Sequence, residues 1–298
     1  MLPPDPATQL FETQRPRLLR LGYRMLGSLS EAEDVVQDAW LRWSAVGTQV
    51  DVPAAYLTRV VSRLCLDRMK SARHRRESYV GAWLPEPLLD DSDDASADDL
   101  TLTLMIALER LSPLERAAFL LHDIFGVAMD DVATTLGRDA TAVRQLAVRA
   151  RRHVRDARPR FPVAQAEADR IAQAFFVASR DGDAEALRAM LAEDVVIHSD
   201  GGGRVIAFRN PIRGVDRVLR LFAGLQRKPI YRPVMLRALH IDGLPGYASV
   251  DRGGVFQTTA LDIADDKIVA LYIVRNPDKL RHIAGVMADE GLLPGGAG

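Results

Sequence analysis

Apolar positions recur at three-and-four spacing through the first half of the chain, then at the shorter spacing of strands through the last third. Residues 7–26 read as a first helix with Leu10, Phe11, Leu18, Leu21 and Met25 on one face; Pro16 is expected to bend or restart it, and Gly27 closes it. Ser30-Glu31-Ala32-Glu33 reads as a capping box opening a second helix. Val35, Val36, Ala39, Trp40 and Trp43 form its apolar stripe, while Glu33, Asp34, Gln37, Asp38 and Arg42 fall on the outer side. Asp51-Val52-Pro53 starts a third helix reaching about Ser78, with Tyr56, Leu57, Val60, Val61, Leu64 and Cys65 inward and a basic later half.

Residues 79–89 carry two prolines, and an aspartate run, DDSDDASADD, follows at 90–99. Composition predicts an extended linker. Trp83, Leu84, Leu88 and Leu89 are nevertheless costly to leave in water, so this segment is expected to dock. A helix over about 100–111, with Leu104, Leu108 and Leu111 inward, comes next. Ser112-Pro113-Leu114-Glu115 is a second capping box with proline at the first helical position. A short helix over about 129–136 stops at Gly137, and Asp139 caps a further helix from Ala140 to about Asp156. Ala128 stands where a capping hydroxyl is usual, which weakens that short helix by about 1 kcal/mol.

Two short helices around a glycine turn predict a helix-turn-helix, whose second helix enters a DNA major groove. Val143, Leu146, Ala147, Ala150 and Val154 of that second helix would pack inward. Thr141, Arg144, Gln145, Val148, Arg152 and Arg155 lie opposite, and Arg and Gln pair bidentately with guanine and adenine edges. Beyond Pro162, helices over 165–191 give way to strands at 195–198, 204–208, 235–241, 247–250, 255–263 and 267–274, interrupted by a helix at 215–225. Gly201-Gly202-Gly203, Asp242-Gly243, Gly253-Gly254 and Asp265-Asp266 supply turns, and the pattern predicts an α+β domain with a curled, mostly antiparallel sheet.

The 298 residues suit about two domains, and no apolar run approaches a membrane span. The N-terminus lacks the regions of a signal peptide, so the cytoplasm is the expected compartment. One cysteine, Cys65, excludes an internal disulfide or zinc ribbon, and the absence of HExxH, P-loop and cysteine-cluster patterns gives no reason to expect a metal or other cofactor. Net charge is only −1, but the charge is segregated. Arg63, Arg68, Lys70, Arg73, Arg75 and Arg76 form one basic stretch and Arg144, Arg149, Arg151, Arg152, Arg155 and Arg158 another, with the aspartates between. Two nucleic-acid contacts at separated places are implied, and weak non-specific binding by the chain alone.

SLSEAEDVVQDAWLRW, PAAYLTRVVSRLCLDRMKSARHRR and the Ser112–Arg155 stretch, in this order, resemble an extracytoplasmic-function sigma factor of bacterial RNA polymerase. The remainder resembles a SnoaL-like domain, and WLPEP at 83–87, DGGGR at 200–204 and NPDKL at 276–280 are similar to the landmarks of the sigma-factor subgroup with that extension. The resemblance implies a multi-domain chain: region 2 at 1–78, a linker at 79–99, a helix-turn-helix region 4 at 100–160 and a regulatory α+β SnoaL-like tail at 161–298. It implies that Asp34, Gln37, Asp38 and Arg42 meet core polymerase at the beta-prime clamp helices, with the beta flap as a further contact. It assigns Arg59, Arg63, Arg68 and Arg73 to the −10 element and Thr141, Arg144, Gln145, Arg149 and Arg152 to the −35 element. Trp83, Leu84, Pro85, Asp200, Gly201, Gly202, Gly203, Arg204, Asn276, Pro277 and Asp278 would regulate in cis, with no separate anti-sigma protein, no membrane partner and an unnamed small ligand as a further partner. His198, Asp200, His240 and Asp242 are the acid–base candidates of the tail, yet both aspartates read more simply as turn formers, and no enzyme is expected. The competing class is a one-component helix-turn-helix repressor with a ligand-sensing tail.

Overall fold

The computed structural model describes residues 5–77, 79–90, 102–155, 165–228, 233–251 and 253–293, without the side chains of residues 48, 71–77 and 165. The chain divides into two compact units, Met1–Glu77 with Leu104–Ala157, and Ser78–Thr103 with Arg158–Gly298.

The first unit is helical. α1 (Pro6–Leu26) runs unbroken through Pro16 and ends on Gly27 in the left-handed region. α2 (Leu29–Val46) is capped by Ser28, not Ser30. Ser28 leaves the Gly27 turn in an extended conformation, so its hydroxyl accepts from the Glu31 amide at 3.3 Å, while Ser30 already lies in the first turn. Trp43 is fully buried and its indole N–H donates to the Ala7 carbonyl at 2.7 Å, fixing α2 on α1. α3 (Pro53–Glu77) completes this layer with Leu57, Val61 and Cys65 at zero exposure. Burial raises the Cys65 thiol far above its ordinary pKa, so it is an inert packing residue.

α4 (Leu102–Leu108) precedes α5 (Pro113–Phe119), whose capping box forms as the sequence predicts. A wider π turn, Leu120–Ile124, leads to α6 (Met129–Leu136), which has no side-chain cap at Ala128. Gly137 at φ 62° ends α6, and the Asp139 carboxylate accepts from the Ala142 amide at 2.8 Å to start α7 (Ala140–Arg155). Val143, Ala147 and Ala150 are at zero exposure, so the inward face of α7 is the one its spacing predicts.

In the second unit, α8 (Gln165–Asp181) and α9 (Ala184–Met190) lead into β1 (Leu191–Asp200). β2 (Ile212–Arg213), α10 (Val215–Gln226), β3 (Val234–Ile241), β4 (Leu244–Val250), β5 (Phe256–Ala264) and β6 (Lys267–Val274) follow. The six-stranded sheet has the order β2-β1-β6-β5-β4-β3; β1 and β6 are parallel and every other pair is antiparallel. The strand expected at 204–208 does not form: Gly201–Arg204 turns the chain tightly after β1, and the short β2 takes the place beside it. A final helix, α11 (Arg281–Asp289), was not predicted. Phe175 and Phe176 of α8, Val218 of α10 and Ile197, Leu261 and Leu271 of the sheet belong to one apolar core. Phe175 meets Phe222 edge-on at 5.6 Å and Phe176 meets Tyr247 at 5.1 Å. Among the described residues no helix is long and apolar enough to cross a membrane.

Candidate functional site

On the first unit, Thr141, Arg144, Gln145, Arg149 and Arg152 of α7 are all exposed on the face opposite the buried stripe, and Val148 between them is half exposed. Arg149 also donates to Glu115 at 2.7 Å, and Arg151 to Asp123 at 2.7 Å, so two of the basic residues hold α7 against α5 and the turn after it. Burial works to raise the Glu115 carboxyl, but hydrogen bonds from Arg149 and Ser112 outweigh it and hold the group below its ordinary range.

Asp34, Gln37 and Arg42 are exposed along α2, with Asp38 half-buried. Arg68 of α3 reaches across to Asp34 at 3.1 Å and Asp38 at 3.4 Å. Partial burial opposes its charge, and these two carboxylates more than restore it. Arg63 donates to the Thr135 carbonyl at 3.3 Å and the Thr134 carbonyl at 3.5 Å, tying α3 to the end of α6. Arg59 is part-buried, and Arg73 lies on α3 with its side chain outside the described residues.

One anchor here escaped sequence reasoning. Arg116 is 1 % exposed and donates to the Leu108 carbonyl at 3.1 Å, the Met25 carbonyl at 2.8 Å and the Glu109 carboxylate. Arg17 and Arg24 place their guanidinium groups 5.4 Å from the Phe125 ring centre. These contacts join α1 to the segment 108–125.

The second unit holds a polar hub around Asp200. Its side chain has zero exposure and accepts from the Tyr79 hydroxyl at 2.6 Å, the Leu84 amide at 2.9 Å, the Gly202 amide at 3.0 Å and the Lys279 ammonium at 2.8 Å. Asp200 is therefore much more than a turn former: it binds the linker and the 276–280 segment at once. Lys279 also donates to the Leu84 carbonyl and lies 4.1 Å from the Trp83 ring centre. Asn276 donates to the Tyr79 hydroxyl at 2.9 Å and accepts from the Asp278 amide at 3.1 Å, while Arg204 pairs with Asp278 at 3.0 Å. Burial, then the hydrogen bond and charge of Asp200, push the Tyr79 phenol well above its ordinary pKa, so it remains a donor.

The glycine run permits this approach. Gly202 and Gly203 have φ of 62° and 71°; a Cβ on Gly202 would fall on the Asn276 amide, and one on Gly203 would lie 3.2 Å from Val80. Leu84, Pro85, Glu86 and Pro87 are buried, as docking of the linker requires. Pro277 opens a short turn of 3-10 helix, Pro277–Lys279, that aims Lys279 at the hub.

A second attachment lies at the Asp242-Gly243 turn. The Leu88 amide donates to the Asp242 carboxylate at 3.1 Å, the Asp242 amide to the Leu88 carbonyl at 3.0 Å, and the Asp90 carboxylate accepts from the Gly243 amide at 2.9 Å. Leu89 bridges Ile241, so the linker covers the outer edge at the end of β3. On the far side of the aspartate run, the Leu102 amide donates to the Asp242 carbonyl at 2.8 Å and the Thr103 hydroxyl to Asp262 at 2.8 Å. Asp90 and Leu102 are thus fastened to the same turn; residues 91–101 lie outside the described residues. His198 stacks on Tyr272 and His240 meets Asp169 at 3.1 Å, while Asp200 and Asp242 each accept from an amide of the linker.

Residues 10–75 match the Sigma-70 region 2 family, and residues 102–154 match the Sigma-70, region 4 family. The chain is 38 % identical over 289 residues to the ECF RNA polymerase sigma factor SigJ of Mycobacterium tuberculosis, covering 90 % of this chain and 91 % of the relative. It is 34 % identical over 285 residues to the probable ECF RNA polymerase sigma factor SigI of the same species, covering 93 % and 95 %. The crystal structure of the M. tuberculosis extracytoplasmic function sigma factor SigJ superposes with a TM-score of 0.74 at 32 % identity, over 92 % of this chain and 98 % of that one.

Proposed function

The chain belongs to the extracytoplasmic-function sigma factors of RNA polymerase and directs transcription initiation, and we propose that it does so through two DNA grips that the free protein holds packed together. Membership of this family makes the chain a non-enzymatic initiation factor, and the repressor reading finds no support. In our reading, Asp34, Gln37, Asp38 and Arg42 dock on the beta-prime clamp helices of core polymerase, and region 4 on the beta flap. Arg59, Arg63, Arg68 and Arg73 hold the backbone around a −10 base that has left the stack. Extruding a base takes a few kcal/mol, which basic walls and a preformed pocket offset. α6 and α7 act as the helix-turn-helix, with Arg144 and Gln145 reading −35 base edges and the flanking arginines on phosphates.

One observation carries the packed-state reading: Arg63 donates to Thr134 and Thr135, so α3 touches α6. The two promoter elements lie about 25 base pairs apart by their names, or about 85 Å at 3.4 Å per pair. Helices in contact cannot span that distance. Arg68, spent on Asp34 and Asp38, is likewise withheld from DNA until core polymerase competes for those carboxylates. The SnoaL-like tail regulates in cis, in place of a separate anti-sigma protein, by gripping the WLPEP linker through Asp200 and both ends of the aspartate run at Asp242. The acidic run then enters polymerase only after the tail lets go. Initiation reconstituted with core polymerase on a promoter fragment tests this: a chain ending near Pro162 should differ from the full chain at equal concentration, and identical initiation would refute regulation by the tail.

A further inference from the structure

The second unit contains a cavity of about 470 Å³ between the sheet and α8 and α10, within the range that accepts organic ligands. Phe175, Phe208, Leu221, Phe222, Leu225 and Ile273 give it a mostly apolar wall. Its polar groups differ in what they have left to offer. Tyr247 is buried with its hydroxyl engaged by Thr259 and Ser179. The Asp251 carboxylate is already engaged: it accepts from the Gly253 amide at 2.9 Å, the Val255 amide at 3.1 Å and Arg275 at 2.8 Å. Arg275, 13 % exposed, is held by that pair, yet its Nε–H is buried and has no acceptor. An unmatched donor on a buried charged group is costly until a water, an ion or a guest supplies an acceptor. Among the described lining residues Asp251 is the one carboxylate, whereas Arg180, Arg220, Lys228 and Arg275 are cationic; Arg180 is occupied by Asp181 at 2.8 Å. A neutral apolar guest would leave the Arg275 donor unanswered.

We propose that this cavity binds a free organic carboxylate with an extended or flat apolar body, its carboxylate accepting from Arg275 Nε while Phe175 and Phe222 enclose the body. The arrangement is a binding site: Asp251 positions the guanidinium, and its own oxygens accept from Arg275 and two backbone amides. The inference stands apart from the role of the tail in transcription, because it concerns binding alone.

Calorimetric titration of the full chain with dodecanoate, below its micelle concentration, and with naphthoate tests it, using dodecanol and naphthol as neutral counterparts. At least one acid should bind in the micromolar range, and its alcohol at least tenfold more weakly. Arg275→Gln should weaken the acid at least tenfold and leave the alcohol unchanged. Leu225→Trp, which fills the cavity and breaks no hydrogen bond of the described set, should weaken acid and alcohol together, so the cavity is tested even where Arg275→Gln fails to fold. Failure of both acids to bind, equal binding of acid and alcohol, or wild-type affinity in Leu225→Trp would each overturn the proposal.

Discussion

Replacing Asp200 with alanine removes the acceptor of four donors at a position with zero exposure. The Lys279 ammonium, 12 % exposed, loses its carboxylate, and breaking a buried pair from one side costs about 3–5 kcal/mol. Leu84, 1 % exposed, contributes a further ~1.5–3 kcal/mol of burial that holds only while the linker is docked. The loss falls first on the linker, because residues 79–90 can leave without unfolding the sheet. Amide hydrogen exchange at Leu88 and Asp90 reads this well, since their own acceptors, Asp242 and the His240 carbonyl, are untouched by the substitution. A loss of about 3 kcal/mol corresponds to exchange roughly a hundredfold faster at those two amides. Asp200→Asn, which keeps one acceptor oxygen, loses the charge and turns an NH2 toward the remaining donors, should fall between, at about 1–3 kcal/mol. Wild-type protection of Leu88 and Asp90 in Asp200→Ala would show that the hub does not hold the linker.

Arg116→Ala should destabilise the first unit by about 3–5 kcal/mol in urea unfolding, since Glu109 and two carbonyls lose their shared donor; a change within error would mean those groups are satisfied by water. Burial raises the Asp262 carboxyl above its ordinary range, despite the Thr103 hydrogen bond, so ionised Asp262 destabilises the fold as pH climbs through that raised value. Asp262→Asn keeps an acceptor for Thr103 and should raise Tm at pH 7, with the gain shrinking as pH falls below the ordinary carboxylate range; a gain that grows in acid would reverse the sign. In the polymerase-bound form, Arg144→Ala should lose about 1–3 kcal/mol of discrimination at one −35 base while Arg152→Ala weakens all sequences alike, measured by competition binding. Uniform loss in both would mean that α7 presents a different face to DNA.

Much of this was legible because local chemistry decided it. The inward stripe of α7, the Gly137 stop, the Asp139 cap and the Ser112–Glu115 box each follow from a few adjacent residues. Ser28 and Ser30 show the limit of that reasoning: both precede an acidic residue by three, and the left-handed Gly27 decides between them. Residues 204–208 include an apolar run that reads as a strand, yet the Asp200–Gly202 contact bends the chain before pairing begins. The sequence motifs at 83–87, 200–204 and 276–280 pointed to the hub, but Tyr79 and Lys279 meet Asp200 across 121 and 79 residues, which no local pattern encodes. Arg116 was hidden for a related reason: a charged residue beside a capping box reads as surface until its partners, the Met25 carbonyl 91 residues away and Leu108 and Glu109 just before it, are known.

The separation of the two grips can be measured directly with labels at Lys70→Cys on α3 and Arg138→Cys just after α6, two residues that line one groove; the native Cys65 is fully buried and should not react. Two grips packed together in the free protein should give a single short distance that lengthens by tens of ångströms in the polymerase complex on promoter DNA, on the scale of the ~85 Å between the elements. The same short distance in the promoter complex would contradict this.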